Sequence, residues 1–414
     1  MSQPFILGVN YWPRRKAMYW WSNFEADEVR EEFDVIASIG MNVVRLFLLW
    51  DDWQPESTSV SSERLRDFGT VCDIAAERGL KLDVTFFTGH MSGPNWSPRW
   101  LLEKDEPAPS PFMRQVLSQG KIVDSSYRNM FHDEEALAAS RLLLRTVVSE
   151  YKDHDAIWMW NLGNEPDLFA WPHSAQAGRE WVRDMRTLIR EIDPVHDVTC
   201  GLHSANLLMD NGLNIDKVFA ETDVAVMHGY PMYVDFARHP LDPDFMPYYC
   251  ALTSALCGKP TLAEEWGGCT APDGRDSEVW EWVTYKGVER KQFMASEEAL
   301  AEHIETVLPK LVEVGATGSM LWCYADYVEE LWDRPPCDPD GAKHERHFGL
   351  VRPDGSLKPH AEVIRKFAET KPMVQPAKRT VTLDITPDEY YQNPRDHAQR
   401  LYEDYIARYE NGAT

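Results

Sequence analysis

Residues 156–166 read AIWMWNLGNEP, an apolar run that halts on Asn164, Glu165 and Pro166. A continuous apolar run this short, bounded by Gly163 and Pro166, predicts a strand buried on both faces. Runs of the same kind recur at 5–10, 42–49, 80–87, 197–203, 223–228, 260–265 and 318–323. Between them, apolar residues fall at helical spacing. Val29, Phe33, Ile36 and Ala37 mark a helix over 24–39 that ends at Gly40. Two serines open a helix over 61–78, and Gly79 closes it. Further helices are predicted over 132–151, 174–192, 243–257, 296–314 and 358–370.

Strands that alternate with helices imply a parallel sheet. Eight such strands across roughly 370 residues, without a change in composition, predict an α/β fold of the closed (β/α)8 TIM-barrel type. The peptide after the first strand, VNYWPRR, is not G-x-G-x-x-G, which disfavours a dinucleotide-binding sheet. Three connections are long: 91–130 with Trp96 and Trp100, 268–292 with Trp280, Trp282 and Tyr285, and 327–348. Long loops inside a compact domain are usually functional. The barrel is expected to span 1–372. Residues 373–414 form a C-terminal extension expected to pack on it, with an alternating strand at 380–385 (TVTLDI) and a charged, Tyr-rich helical stretch at 387–409.

Composition narrows the classes of function. The 414 residues are 43% hydrophobic, enough for a sizeable core. A formal net charge of −25 with no dense basic block argues against nucleic acid or anionic membrane partners. Seven cysteines without a C-x-x-C pair argue against a disulfide framework or a thiolate zinc site. FILGV near the N-terminus is too short for a signal peptide, and no run approaches a membrane span. These features predict a cytoplasmic protein with reduced thiols, while homo-oligomer formation stays open. Sixteen Trp is a high count. Trp suits a flat apolar face with one polar edge, as under a sugar ring.

In a barrel of this kind, chemistry collects where strands finish. Those positions carry Arg45, His90, Asn164 with Glu165, His203, His228 with Tyr230, Glu264 with Glu265, and Trp322 with Asp326. A carboxylate at the end of a buried strand is costly unless it lies in a polar cleft. Glu165 and Glu265, a hundred residues apart, supply two such carboxylates. Facing each other, they meet the minimum for glycoside hydrolysis: one gives a proton to the leaving oxygen and the other stays ionised. Arg45 would keep a neighbouring nucleophile charged, Asn164 and His228 would flank the acid, and Trp322 would give the sugar an apolar floor. Adjacent strand residues point to opposite sides, so only one of Glu264 and Glu265 should face the cleft. The H-x-x-H of His344 and His347 lacks further ligands at metal-site spacing and reads as solvated loop charge. Trp20 and Trp21 are either rim aromatics lining a sugar subsite or packing for the first loop.

Asn164-Glu165-Pro166 after one strand and Glu265-Trp266-Gly267 after another, with Arg45, His90, His228, Tyr230 and Trp322 each at its strand, resemble glycoside hydrolase family 5 and its barrel clan. The resemblance covers residues 5 to about 370. It implies a retaining glycosidase with Glu165 as acid/base, Glu265 as nucleophile, and Arg45, His90, Asn164, His228, Tyr230 and Trp322 binding substrate. No metal and no cofactor are implied. Glu264 would be a structural carboxylate near the rim, paired to a basic residue, and Tyr233 is a rival to Tyr230. With the C-terminal DEYYQNP segment, the pattern is similar to bacterial family 5 exo-acting β-mannosidases. These cut short β-mannosides, including the mannose-β-1,4-N-acetylglucosamine core of N-glycans. The expected partner is therefore a small oligosaccharide. Endo-mannanase or endo-glucanase action is the alternative within the family. A non-catalytic sugar-binding barrel would need a lost carboxylate. A metal amidohydrolase barrel would need H-x-H where the chain has Val9-Asn10-Tyr11.

Overall fold

A computed structural model describes residues 3–103, 114–284 and 287–410. Eight parallel strands form its central sheet: β1 (Ile6–Asn10), β2 (Val43–Leu49), β3 (Lys81–Thr88), β4 (Ile157–Asn164), β5 (Asp197–Gly201), β6 (Ala225–His228), β7 (Thr261–Gly267) and β8 (Gly318–Trp322). Their spatial order is β5-β4-β3-β2-β1-β8-β7-β6. The Asp223 N–H donates to Val198 at 2.8 Å and the His228 N–H to Leu202 at 2.9 Å, so β5 meets β6 and the sheet closes into a (β/α)8 TIM barrel.

The apolar runs form strands because helices cover them on the outside and neighbouring strands on the inside. Every residue of β2 and β7 is buried. The barrel helices are α1 (Ala26–Ser38), α2 (Ser62–Glu77), α3 (Glu134–Tyr151), α4 (Ala175–Ile192), α5 (Ile215–Glu221), α6 (Phe245–Cys257), α7 (Glu297–Glu313) and α8 (Pro359–Glu369). Side chains of Ser61, Asp133, Ser174 and Ser296 cap four of them by accepting a first-turn N–H. α5 was not anticipated; its two turns put only Ile215, Val218 and Phe219 inside.

The long connections are partly ordered. The segment after β3 carries short strands Asn95–Trp96, Val116–Ser118 and Lys121–Val123, and the segment after β7 is a hairpin of Glu278–Val283 with Glu289–Met294. The middle of the first segment and Tyr285 lie outside the described residues. Trp20 and Trp21 are buried and pack on each other with centroids 3.9 Å apart, so they brace the first loop.

In the extension, the strand expected at 380–385 does not form. Those residues pair with no neighbouring strand, and alternation alone does not make one. The helical stretch divides into a turn, Pro387–Tyr390, and α9 (Pro394–Glu410). Leu401, Tyr402 and Tyr405 of α9 are buried, with Tyr402 and Tyr405 against Tyr248 of α6. The Tyr248 hydroxyl donates to Ala398, and the Tyr402 hydroxyl to Asp242. The Tyr390 hydroxyl donates to Leu207 and that of Tyr391 to Asn206, both at 2.7 Å. Because Tyr402 joins α9 to α6, Tyr402→Ala should destabilise the protein by about 3–5 kcal/mol in urea unfolding. A loss below about 1 kcal/mol would mean that the extension unfolds independently of the barrel.

Candidate active site

The C-terminal ends of the strands open into a cavity of about 900 Å³. His90, Asn164, Glu165, His228, Tyr230, Glu265 and Trp322 line it, as the strand-end reading expects. Arg45 does not. It is fully buried beneath the cavity, so it acts on the carboxylates from behind and contributes no substrate-contacting surface.

Local chain geometry sets each carboxylate. β4 ends on Gly163 and Asn164, and Glu165 then adopts the left-handed region at φ 45°, ψ 54° before Pro166 begins a short 3-10 turn. This conformation costs a non-glycine residue about 1–3 kcal/mol and persists only where neighbours hold it. Here the Glu165 N–H donates to Gly201 of β5 at 2.9 Å. Glu265 receives the Tyr230 hydroxyl at 2.9 Å on one oxygen and Arg45 Nη1 at 3.3 Å on the other. Tyr233 instead bonds His344 at 2.9 Å, which removes it as a rival for Glu265. One oxygen each of Glu165 and Glu265 lie within 4.8 Å of one another, with a ring nitrogen of His228 in the same group. Both His228 nitrogens are already engaged, Nδ1 with Glu165 at 3.0 Å and Nε2 with Glu264 at 2.9 Å. That ring has no lone pair to spare for a metal ion.

Glu264 requires a correction. It lies at no rim and does not point away from its neighbour. It is fully buried inside the barrel, 3.4 Å from Arg45 Nη2, and accepts Asn161 at 3.1 Å. Simple alternation fails because the β7–β8 register slips between Ala263 and Trp266, and the β6–β7 register between Met227 and His228. Both carboxylates therefore turn toward Arg45, but only Glu265 reaches the cavity.

His203 is also in the site. Its Nε2 meets Asp167 at 2.9 Å and its Nδ1 lies 3.7 Å from Glu165. His90 is fixed by Asn95 at 2.8 Å, and burial drives it down to about 3, so it is neutral. Asp326 pairs with Lys358 at 2.8 Å, away from the cavity. The His344/His347 loop is not solvated. It forms a 3-10 turn, Lys343–His347, with His347 buried beside Asp326 and Glu345 buried beside Trp322. Ser92, Trp282, His344 and Glu345 also line the cavity, although the sequence pattern does not single them out as site residues.

The resting electrostatics run opposite to the expected split. Burial lowers His228, but Glu265, Glu165 and Glu264 outweigh it and push the imidazole up to about 9. Burial raises the Glu165 carboxyl, yet His203 and His228 together hold it well below its ordinary range. Burial also raises Glu265, with His228 opposing and Glu165 adding, and the net direction is upward. The reason is proximity: His228 Nδ1 is 3.0 Å from Glu165 and 3.7 Å from Glu265, while Arg45 divides its charge between Glu264 and Glu265.

A barrel with two carboxylates converging on one cavity at the strand ends defines a glycosidase-type site. A family model described as Cellulase (glycosyl hydrolase family 5) matches residues 6–295, and the chain belongs to that family of glycoside hydrolases. Mannan endo-1,4-beta-mannosidase F of Aspergillus clavatus is 26% identical over 149 residues, 33% of this chain and 34% of that protein. The match thus spans about a third of that relative's length. Among solved structures, GH5_18 from Streptomyces cattleya in complex with GlcNAc is 21% identical with a TM-score of 0.79, covering 100% of this chain and 92% of that one. The exo-beta-1,4-mannosidase Op5Man5 from Opitutaceae bacterium strain TAV5 is 23% identical with a TM-score of 0.68, covering 89% of this chain and 60% of that one. At these identities the structural likeness speaks for the fold.

His228 is protonated more readily folded than unfolded. Its contribution to stability is complete below about pH 6.5, its unfolded value, and fades as pH rises through about 9. Between about pH 6.5 and 9.5 the wild type should lose on the order of 3 kcal/mol of unfolding free energy that His228→Gln does not lose. Equal losses in both proteins would remove the buried imidazolium from this picture.

Proposed function

We propose that the protein is a retaining β-mannosidase that releases terminal mannose from short β-mannosides, with Glu265 as nucleophile and Glu165 as acid/base. The carrying observation is the approach of the two carboxylates within 4.8 Å. Retaining glycosidases hold their pair at about 5–5.5 Å, while inverting ones leave about 6.5–9.5 Å for a water. In this reading residues 1–372 carry the chemistry and 373–414 brace the barrel.

Glu265 is held for attack by Tyr230 and Arg45, which bind separate oxygens. Its oxygen forms the bond to the anomeric carbon as the glycosidic bond breaks. The leaving oxygen needs a proton from Glu165. His228 Nδ1 already shares a hydrogen bond with Glu165, so a proton moves along it to give a neutral acid beside a neutral imidazole. Glu165 then donates that proton, and as a carboxylate it takes one from the water that releases the sugar. Trp322 supplies an apolar face to the ring. Mannose is favoured because the structure with GH5_18 from Streptomyces cattleya in complex with Manb1-4GlcNAc aligns over 99% of this chain, at 21% identity and TM-score 0.79. Walls from the segments after β3, β7 and β8 flank the cavity, which supports action at a chain end. The names of the curated relatives favour the second reading, endo-acting mannanase.

Glu265→Gly should be inactive on aryl β-mannosides and regain activity with azide, with inversion at the anomeric carbon. Rescue of Glu264→Gly instead would transfer the role to the neighbouring residue. Glu165→Gln should slow poor leaving groups far more than good ones. p-Nitrophenyl β-mannoside should outrank the β-glucoside and β-galactoside, and the reverse order would end the mannosidase reading. Release of mannose alone from a β-1,4-mannan oligosaccharide separates chain-end action from internal cleavage.

A further inference from the structure

Ser92 and Glu345 come from loops more than two hundred residues apart and meet at the cavity wall beside Trp322. Each keeps hydrogen-bonding capacity that the protein does not use. Ser92 is held at φ 53°, in the left-handed region, and its buried Oγ faces the Glu345 carboxyl, which leaves its lone pairs without a donor among the described residues. Strain of this kind gathers at sites where the surrounding structure needs one side chain in one place. Glu345 is 9% exposed. One of its oxygens accepts Trp322 Nε1 at 3.2 Å, and the other lies 3.8 Å from His344 Nε2. No Lys or Arg pairs with it among the described residues. Burial lowers His344 to about 3, so that ring is neutral and supplies no counter-charge.

A buried carboxyl without a cation is expensive unless something else satisfies it. Burial pushes Glu345 up to about 8, with Trp322 and Ser92 opposing and Glu265 and Glu165 adding. A carboxyl in this state offers a donor as well as an acceptor. The same tryptophan that would carry the sugar ring is hydrogen-bonded to it, so a ring lying on Trp322 presents its hydroxyls to this corner.

We propose that Ser92 and Glu345 form the hydroxyl-reading corner of the subsite for the sugar released by the enzyme: with that ring on Trp322, one of its hydroxyls bonds Glu345 and Ser92 Oγ at once. The proposal rests on the glycosidase reading above and extends it from the bond that breaks to the sugar that is chosen. A site built to bond a hydroxyl rejects an analogue that lacks it, because its own polar groups are then left unpaired.

The test pairs enzyme variants with substrate deletions. Monodeoxy analogues, each lacking one ring hydroxyl, are made of the aryl glycoside that the wild type cleaves best, and kcat/KM is measured for each. One analogue should lose about 10- to 100-fold with the wild type. With Glu345→Ala, and with Ser92→Ala in smaller measure, the penalty for that analogue should shrink to within about threefold while penalties for the others stay unchanged. Should Glu345→Ala fail to fold, Glu345→Gln replaces it, with native unfolding confirmed before kinetics. If the variants lower kcat/KM by one common factor and every deoxy penalty keeps its wild-type size, the corner only steadies Trp322 and the proposal is overturned. If the wild type cleaves no aryl glycoside, the glycosidase reading itself fails, which is a separate and visible outcome.

Discussion

Arg45 is a fully buried guanidinium with acceptors on every side. Its Nε donates to Thr85 at 3.0 Å, Nη1 to Asn10 at 3.1 Å and Glu265 at 3.3 Å, and Nη2 to Asn164 at 3.1 Å. Glu264 lies 3.4 Å away and Asp83 3.8 Å. A charge taken this far from water is tolerated only when its geometry is complete, because the effective desolvation penalty is several kcal/mol per ion. The barrel supplies that geometry through register: Asn10, Arg45 and Asp83 stand side by side on β1, β2 and β3. Gly201 of β5 completes it by omission, since a Cβ there would lie 2.7 Å from Arg45 Nη2. Burial and the nearness of Glu264 push Asp83 well up, which lets one guanidinium serve two remaining carboxylates. The barrel interior and the glutamates at the cavity are thus one electrostatic unit.

That unit explains why so much of the fold could be read from the chain. Strands buried on both faces must be apolar throughout, and polar residues are tolerated only at their cavity ends. The runs ending on Asn10, Glu165, His228 and Trp322 therefore mark both the barrel and its mouth. What stayed hidden was set by register and by neighbours. Nothing in TLAEEWG signals the slip that turns both Glu264 and Glu265 toward Arg45. The KHERH loop reads as charged and solvated, yet His347 is buried against Asp326, which Lys358 also pairs, and Glu345 is buried with Trp322 bonded to one of its oxygens. The short α5 has too few turns for its periodicity to stand out. Residues 380–385 have the right alternation and no partner, and without one they stay irregular.

The chain divides its labour along the barrel axis. Strand ends carry the paired glutamates and what holds them, and those positions lie within the span matched by the family as a whole, residues 6–295. Of the wall residues, Ser92 lies within that span, while Trp322, His344 and Glu345 lie beyond it, on β8 and the segment after it. Chemistry common to a family needs only the first set, because breaking a glycosidic bond makes the same demands whatever the sugar. Choice among sugars differs by one hydroxyl at one ring carbon, and only polar groups at the wall can sense it. The part of the wall around Glu345 can change while Arg45 and its carboxylates stay in place, since the Glu345 carboxyl bonds Trp322 and Ser92 and not Arg45. Selectivity in this barrel should therefore be sought where Ser92 and Glu345 meet Trp322, one layer above the charges that hold the strands together.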